Sequence, residues 1–138
     1  MTSRDRVRVA MHLREPDRVP VMCQLAIGHY FLRAGIDPVD IWCSTTGFGD
    51  ALLGLRARYG FDGILVNLPG RDPEWSRAVA HIECRSDRTI IRWRNGWHTD
   101  VPPNDLPHVF RADGSRPIRR LAEIDPDRLF YVEPHALG

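Results

Sequence analysis

Two short apolar segments, separated by a stretch of helical periodicity, constrain the fold of this chain most strongly. The first covers residues 18–23 and the second covers residues 61–67. Each apolar run is too continuous for a strand with one face in water, so both are predicted to be buried. A strand, then helices, then a second strand predict a βαβ unit, in which the two strands are parallel and the crossover is right-handed.

Helical segments are predicted before and between the two strands, from capping residues at their starts and from glycine or proline at their ends. They run from Thr2 or Ser3 to about Leu13, over residues 25–32, from Asp37-Pro38 onward, and from Thr45 or Thr46 to Tyr59. This order makes residues 1–70 one helix followed by a βαβ unit.

The pattern changes after residue 70. Residues 79–85 and 88–94 are predicted to be strands, and Asn95-Gly96 is typical of a type I′ hairpin turn. With the strand that follows the turn, residues 79–101 form a predicted antiparallel β-meander, inserted into the α/β fold. Residues 102–138 are predicted to be loop and short helices, one of them near residues 117–124.

Charge and composition exclude several classes of protein. Nineteen basic and eighteen acidic residues give a net charge of +1, which removes the electrostatic argument for a nucleic-acid or membrane partner. With 138 residues, of which 43% are hydrophobic, the chain can bury one core. Three cysteines without a C-x-x-C pair favour a reducing compartment, so a cytoplasmic location is predicted.

Several segments occur in an order that is similar to one enzyme superfamily. They are Glu15-Pro16-Asp17-Arg18-Val19-Pro20-Val21, Gly28-His29-Tyr30, Tyr59-Gly60-Phe61-Asp62-Gly63-Ile64, and Leu121-Ala122-Glu123-Ile124-Asp125-Pro126-Asp127. With these segments the chain resembles the uroporphyrinogen decarboxylase superfamily, which also contains corrinoid-linked methyltransferases. The first string is the most specific part of the resemblance, which extends over nearly the whole chain.

The resemblance implies an α/β fold, a closed (β/α)8 TIM barrel of roughly 340 residues. Residues 1–138 then form the N-terminal segment of such a barrel: its first two βα units, with the meander as an insertion. The chain would supply about two-fifths of the family's length, as a natural or artificial fragment. Because a two-stranded parallel sheet cannot cover both of its own faces, the remaining strands are expected to complete it.

The resemblance also implies where a substrate binds, because chemistry in such barrels lies at the carboxyl ends of the strands. The predicted substrate-binding residues are Gln24, His29 and Tyr30 after the first strand, with Asn67 and Arg71 after the second. Structural interpretations stay open beside this one. His29 is then a polar helix residue, Tyr30 a core residue, Asn67 a residue that turns the chain, and Arg71 a solvated loop charge.

Two activities are implied for the parent enzyme, a lyase reaction on a porphyrinogen or a cobalamin-dependent methyl transfer. The family's decarboxylases carry an R-Q-A-G-R segment, whose two arginines fall on Leu25 and His29 here, and an active-site aspartate that falls on Pro69. Leucine cannot bind a carboxylate, and the proline side chain accepts no hydrogen bond. The sequence therefore favours the methyltransferase-like or an uncharacterised branch over true decarboxylation.

No cofactor or metal site is expected within this chain. The zinc ligands of the methyltransferase branch, a His-x-Cys pair and a distant cysteine, belong to the family's C-terminal half. His81 and Cys84 are the close His/Cys pair here, and three positions apart on a strand they point to opposite faces. Zinc or a corrinoid is therefore expected only in a full-length relative.

Three hypotheses for the function follow. In the first, the parent enzyme acts on a small-molecule tetrapyrrole or on a corrinoid-bound methyl group, and this chain alone is inactive. In the second, the chain is a non-catalytic fragment or an assembly module that needs a complementary chain or a homo-oligomer. In the third, it is a complete small α/β domain with a ligand pocket beside the hairpin.

Overall fold

The computed structural model describes residues 1–66, 71–115 and 122, which form a mixed α/β structure with two sheets. The elements are α1 (Ser3–Met11), β1 (Met22–Cys23), α2 (Ile27–Arg33), α3 (Pro38–Cys43), α4 (Thr45–Tyr59), β2 (Gly63–Ile64), α5 (Trp75–Ala78), β3 (Val79–Cys84), β4 (Thr89–Trp93), β5 (His98–Val101) and β6 (His108–Phe110). None of these helices has the length and apolar character that a membrane crossing requires.

The predicted parallel pair is confirmed. Strand β1 lies parallel to β2, with Met22 opposite Gly63 and Cys23 opposite Ile64. The predicted burial of the two segments is wrong, however, because Met22 is 54% exposed and Val66, just after β2, is 59% exposed. The described part of the chain pairs β1 and β2 only with each other, so this narrow sheet leaves apolar side chains in contact with water.

Local capping sets the ends of the helices between the parallel strands. The Asp37 carboxylate accepts a hydrogen bond from the Val39 N–H, and α3 starts there. The cap of α4 is Ser44, whose hydroxyl accepts a hydrogen bond from the Gly47 N–H. The prediction of Thr45 or Thr46 as the cap is therefore wrong, by one or two residues. Gly60, at a φ of 69°, ends α4 as predicted.

The antiparallel sheet has the order β3-β4-β5-β6. Its first three strands confirm the predicted meander, whereas β6 lies in a segment predicted to be loop. The turn between β4 and β5 is not type I′, since the Trp93 N–H donates to the Trp97 carbonyl across a three-residue loop in which only Gly96 has a positive φ. The helix predicted near residues 117–124 falls outside the described residues, apart from residue 122.

One hydrophobic core joins the helices to the inner face of this sheet. Ile41 and Leu55 from α3 and α4 belong to the same cluster of buried side chains as Ile91, Trp93 and Val101 from the sheet. The meander was predicted as an insertion into the α/β fold, and in the structure it packs against that fold rather than projecting from it. This packing places the connection between β5 and β6 next to α2.

Candidate functional site

A cavity of about 360 Å³ lies beyond the carboxyl ends of the two parallel strands. Its walls come from the segment after β1, from α2 and α4, from the residue that follows β2, and from the connection between β5 and β6. The described lining residues are Gln24, Leu25, Ala26, Ile27, Gly28, His29, Tyr30, Phe48, Leu52, Leu65, Asn104, Asp105 and Leu106. Ligand sites in parallel α/β folds occupy this end of the strands.

Three of the predicted site residues meet in this cavity: Gln24, His29 and Tyr30. Tyr30 is buried, and its ring packs edge to face against Phe48 at 6.2 Å between ring centres. Burial raises the pKa of the Tyr30 phenol, so the hydroxyl stays protonated at neutral pH and keeps a proton to donate. The core interpretation of Tyr30 is confirmed, and because the residue also lines the cavity, its role as a site residue stays a prediction.

The His29 ring is held in place by the end of α4. Its Nε2 lies 2.8 Å from the Tyr59 hydroxyl, and the two ring centres are 5.7 Å apart. Tyr59 in turn packs against Phe61 at 5.5 Å. A ring supported on one nitrogen in this way presents a fixed edge to the cavity.

Arg71 lies behind the cavity rather than in its lining. Its backbone N–H donates to the Thr45 hydroxyl at 2.9 Å, and its guanidinium lies over the rings of Trp42 and Phe48, at 4.8 Å and 5.5 Å. Burial lowers the pKa of Arg71. The interpretation of Arg71 as a solvated loop charge is wrong because only 8% of the residue is exposed. The fifth predicted residue, Asn67, lies outside the described residues.

The wall formed by residues 104–106 was not predicted from the sequence, because these residues are some 75 positions away from α2 along the chain. One local signal was Gly28. A side-chain carbon built at Gly28 would overlap the Asn104 carbonyl group, so the two segments approach this closely only because residue 28 is glycine. Gly28 therefore has a packing role in the structure, beside the predicted role of Gly28-His29-Tyr30 as a substrate segment.

A buried ionic network lies at the opposite, amino end of the parallel strands. The Asp62 carboxylate, immediately before β2, accepts hydrogen bonds from Arg6, from Arg18 and from the Val21 N–H. These donors, the Val21 N–H first among them, lower the pKa of Asp62. Arg6 also donates twice to Asp17, at 2.6 and 2.9 Å, and thereby lowers the pKa of that carboxylate.

The donor set of the described residues does not fit a zinc ion. No group of three or more His, Cys, Asp or Glu side chains converges in residues 1–66 and 71–115. Cys43 is not available as a thiolate either, since burial raises its pKa to about 12. The cavity, at about 360 Å³, is also too small to enclose a whole corrinoid, although it has room for one edge of a macrocycle.

Comparison of the chain with protein-family models, with curated proteins and with solved structures found no match.

Proposed function

We propose that this chain contributes the first two βα units of a uroporphyrinogen-decarboxylase-like (β/α)8 barrel, and that its cavity forms part of a site for a tetrapyrrole or a corrinoid. The observation that carries the proposal is the position of the cavity. It lies at the carboxyl ends of both parallel strands, where barrels of this kind bind their substrates.

Agreement between the resemblance and the lining residues supports this proposal. Leu25 and His29 are the positions on which the arginines of the family's decarboxylases fall, and both line the cavity. Neither can form the bidentate contact of an arginine with a carboxylate. We therefore favour the methyltransferase-like or an uncharacterised branch of the superfamily over decarboxylation.

A titration tests the proposal directly. The full chain is titrated with coproporphyrin and, separately, with hydroxocobalamin, and binding is followed by the quenching of tryptophan fluorescence. Ala26→Phe fills the cavity from an exposed position, and Ala57→Phe adds the same bulk to the exposed face of α4. We expect at least one of the two macrocycles to bind saturably. Ala26→Phe should weaken that binding about tenfold, and Ala57→Phe should leave it unchanged.

Two results would overturn the proposal. One is that neither macrocycle binds the chain, and the other is that both phenylalanine variants bind as the unmodified chain does. Circular dichroism of the variants shows whether a loss of binding reflects a loss of fold.

A second candidate function, an assembly module, is favoured by the exposed apolar side chains beside the parallel strands. Val19, Met22, Leu65 and Val66 are each more than half exposed. In a closed barrel, neighbouring strands and helices would cover such positions. In this function, another chain or a second copy of this chain supplies the complementary strands. Self-association of the chain and dye binding to the exposed apolar side chains test it.

A further inference from the structure

One wall of the cavity comes from the antiparallel sheet, not from the βαβ unit. Residues 104–106, in the connection between β5 and β6, lie against α2 at Gly28. Pro102, Pro103 and Pro107 flank this segment, and proline restricts the backbone on either side. We refer to residues 102–107 as the strap. Because proline restricts the backbone of the strap and its backbone packs directly against Gly28, the strap forms a defined wall of the cavity.

The described lining holds one carboxylate and several other polar groups. Gln24, Asn104 and the Tyr30 hydroxyl are uncharged, the His29 ring is hydrogen-bonded to the Tyr59 hydroxyl, and Asp105 is the carboxylate among the described lining residues. No arginine belongs to that described lining. The guanidinium of Arg71 is directed at the rings of Trp42 and Phe48 and at the Trp42 carbonyl instead.

Asp105 is among the residues that line the cavity, and its side chain is exposed to solvent. One carboxylate oxygen accepts a hydrogen bond from the Leu106 N–H at 2.7 Å, and the other lies 3.7 Å from Nε2 of His108. The side chain is 68% exposed, so its charge is partly screened by water. Its effect on binding is therefore expected to be moderate, and its sign is set by the charge of the ligand.

We infer that the cavity accepts a compact uncharged or cationic group, such as an amine or an N–H-bearing ring, and disfavours a carboxylate. The strap, through Asp105, is the element that discriminates between ligands of different charge. The inference rests on the proposed function only in treating the cavity as the ligand site. A volume of about 360 Å³ lies near the lower end of the range for ligand pockets, about 300–1,000 Å³. The group that enters is thus small.

Three probes of nearly equal shape test the selection by charge: benzylamine, benzyl alcohol and benzoate. Their dissociation constants for the full chain are measured by NMR titration at pH 7. We expect benzylamine to bind on the order of threefold to tenfold more tightly than benzoate, with benzyl alcohol between them. Asp105→Asn should reduce the difference between the constants of benzylamine and benzoate, whereas Asp87→Asn, at an exposed position outside the cavity, should change none of the three constants.

The packing of the strap against Gly28 is tested by a pair of glycine variants. Gly28→Ala displaces residues 104–106, whereas Gly54→Ala adds the same methyl group to α4 at a position where no atom outside the local helix backbone lies within 4 Å. We expect Gly28→Ala to abolish the preference for benzylamine over benzoate and Gly54→Ala to preserve it. The dissociation constants measured for Asp105→Asn test the inference even if Gly28→Ala does not fold.

The inference is overturned if benzoate binds as tightly as benzylamine, if none of the three probes binds, or if the preference survives Asp105→Asn unchanged. Its failure is distinguishable from failure of the proposed function. Binding of coproporphyrin or hydroxocobalamin without charge selection among the small probes contradicts the inference alone. Charge selection among the small probes without binding of either macrocycle contradicts the proposed function alone.

Discussion

At the scale of single residues, Asp62 shows how a charge is tolerated inside this protein. Its side chain is fully buried and is met by two guanidinium groups and one backbone N–H. A buried carboxylate with its acceptor sites satisfied avoids the desolvation penalty that an unpaired charge would carry. Asp17 and Arg18, from the string that is most specific for the family resemblance, supply part of this network.

The network leads to a prediction about stability and pH. Asp62→Asn removes the charge that faces Arg6 and Arg18, so the midpoint of urea unfolding at pH 7 should fall. Because the folded-state pKa of Asp62 lies below the unfolded value of about 3.9, its contribution is present above about pH 4 and is lost as the pH falls through the folded-state pKa. The difference in urea midpoint between Asp62→Asn and the unmodified chain should therefore be large at pH 7 and should shrink as the pH falls below about 4.

Asp87 provides the matched control for this measurement. It too has an arginine partner that lowers its pKa, but its side chain is 59% exposed. Asp87→Asn should shift the urea midpoint several times less than Asp62→Asn at pH 7, since exposed ion pairs contribute little. Equal shifts for the two variants would show that the buried network does not stabilise the fold.

At the scale of elements, a buried side-chain hydrogen bond joins strands β4 and β5 of the antiparallel sheet. The Trp93 indole N–H on β4 donates to the Thr99 hydroxyl on β5 at 2.8 Å, and both residues are buried. The bond places the polar atoms of both side chains opposite each other, so the inner face of the hairpin remains free of unsatisfied groups at this point.

Thr99→Val tests the importance of this bond. Valine keeps the shape of threonine but leaves the Trp93 N–H buried without an acceptor, which should cost about 1–3 kcal/mol of unfolding free energy. The measurement is urea unfolding followed by circular dichroism. In a double-mutant cycle, Trp93→Phe with Thr99→Val should cost less than the sum of the two single changes. Additive effects would mean that the hydrogen bond contributes nothing beyond packing.

At the scale of the whole molecule, the two sheets differ in how they are covered. The antiparallel sheet buries Ile91 and Val101 against the helices, whereas the parallel pair leaves Met22 and Val66 in contact with water. Apolar side chains beside a sheet of only two strands are typical of a surface that another element covers. The assembly hypothesis therefore concerns this side of the molecule.

We expect the isolated chain to bind the dye 1-anilinonaphthalene-8-sulfonate under native conditions and to associate with itself in sedimentation velocity. Val66→Lys should reduce both signals several-fold while changing the unfolding free energy by no more than about 0.5 kcal/mol, because Val66 is exposed. Leu53→Lys, at an equally exposed position on α4, should leave both signals as they were. A monomer that binds no dye and unfolds in one sharp thermal transition would contradict the assembly hypothesis.

The sequence by itself determined the features that depend on neighbouring residues. Asp37 and Gly60 mark where α3 begins and where α4 ends, because a cap needs only a side chain or a positive φ at that position. The order of the apolar segments was enough to predict that β1 and β2 are parallel. Glycine after Asn95 likewise located the β4–β5 turn, although not its length.

Only the tertiary structure decided which residues are buried and which ones meet. Arg71 was interpreted as a substrate-binding residue or as a solvated loop charge, yet it is buried beside Thr45 and Trp42. The partners of Asp62, among them Arg6, were not predicted from the sequence, because they lie far along the chain. Strand β6 and the strap were not predicted, because three-residue strands and loops acquire their positions from the sheet and helix against which they pack. Burial and the shape of a cavity arise from contacts between distant segments, and a periodic pattern within one segment carries no information about them.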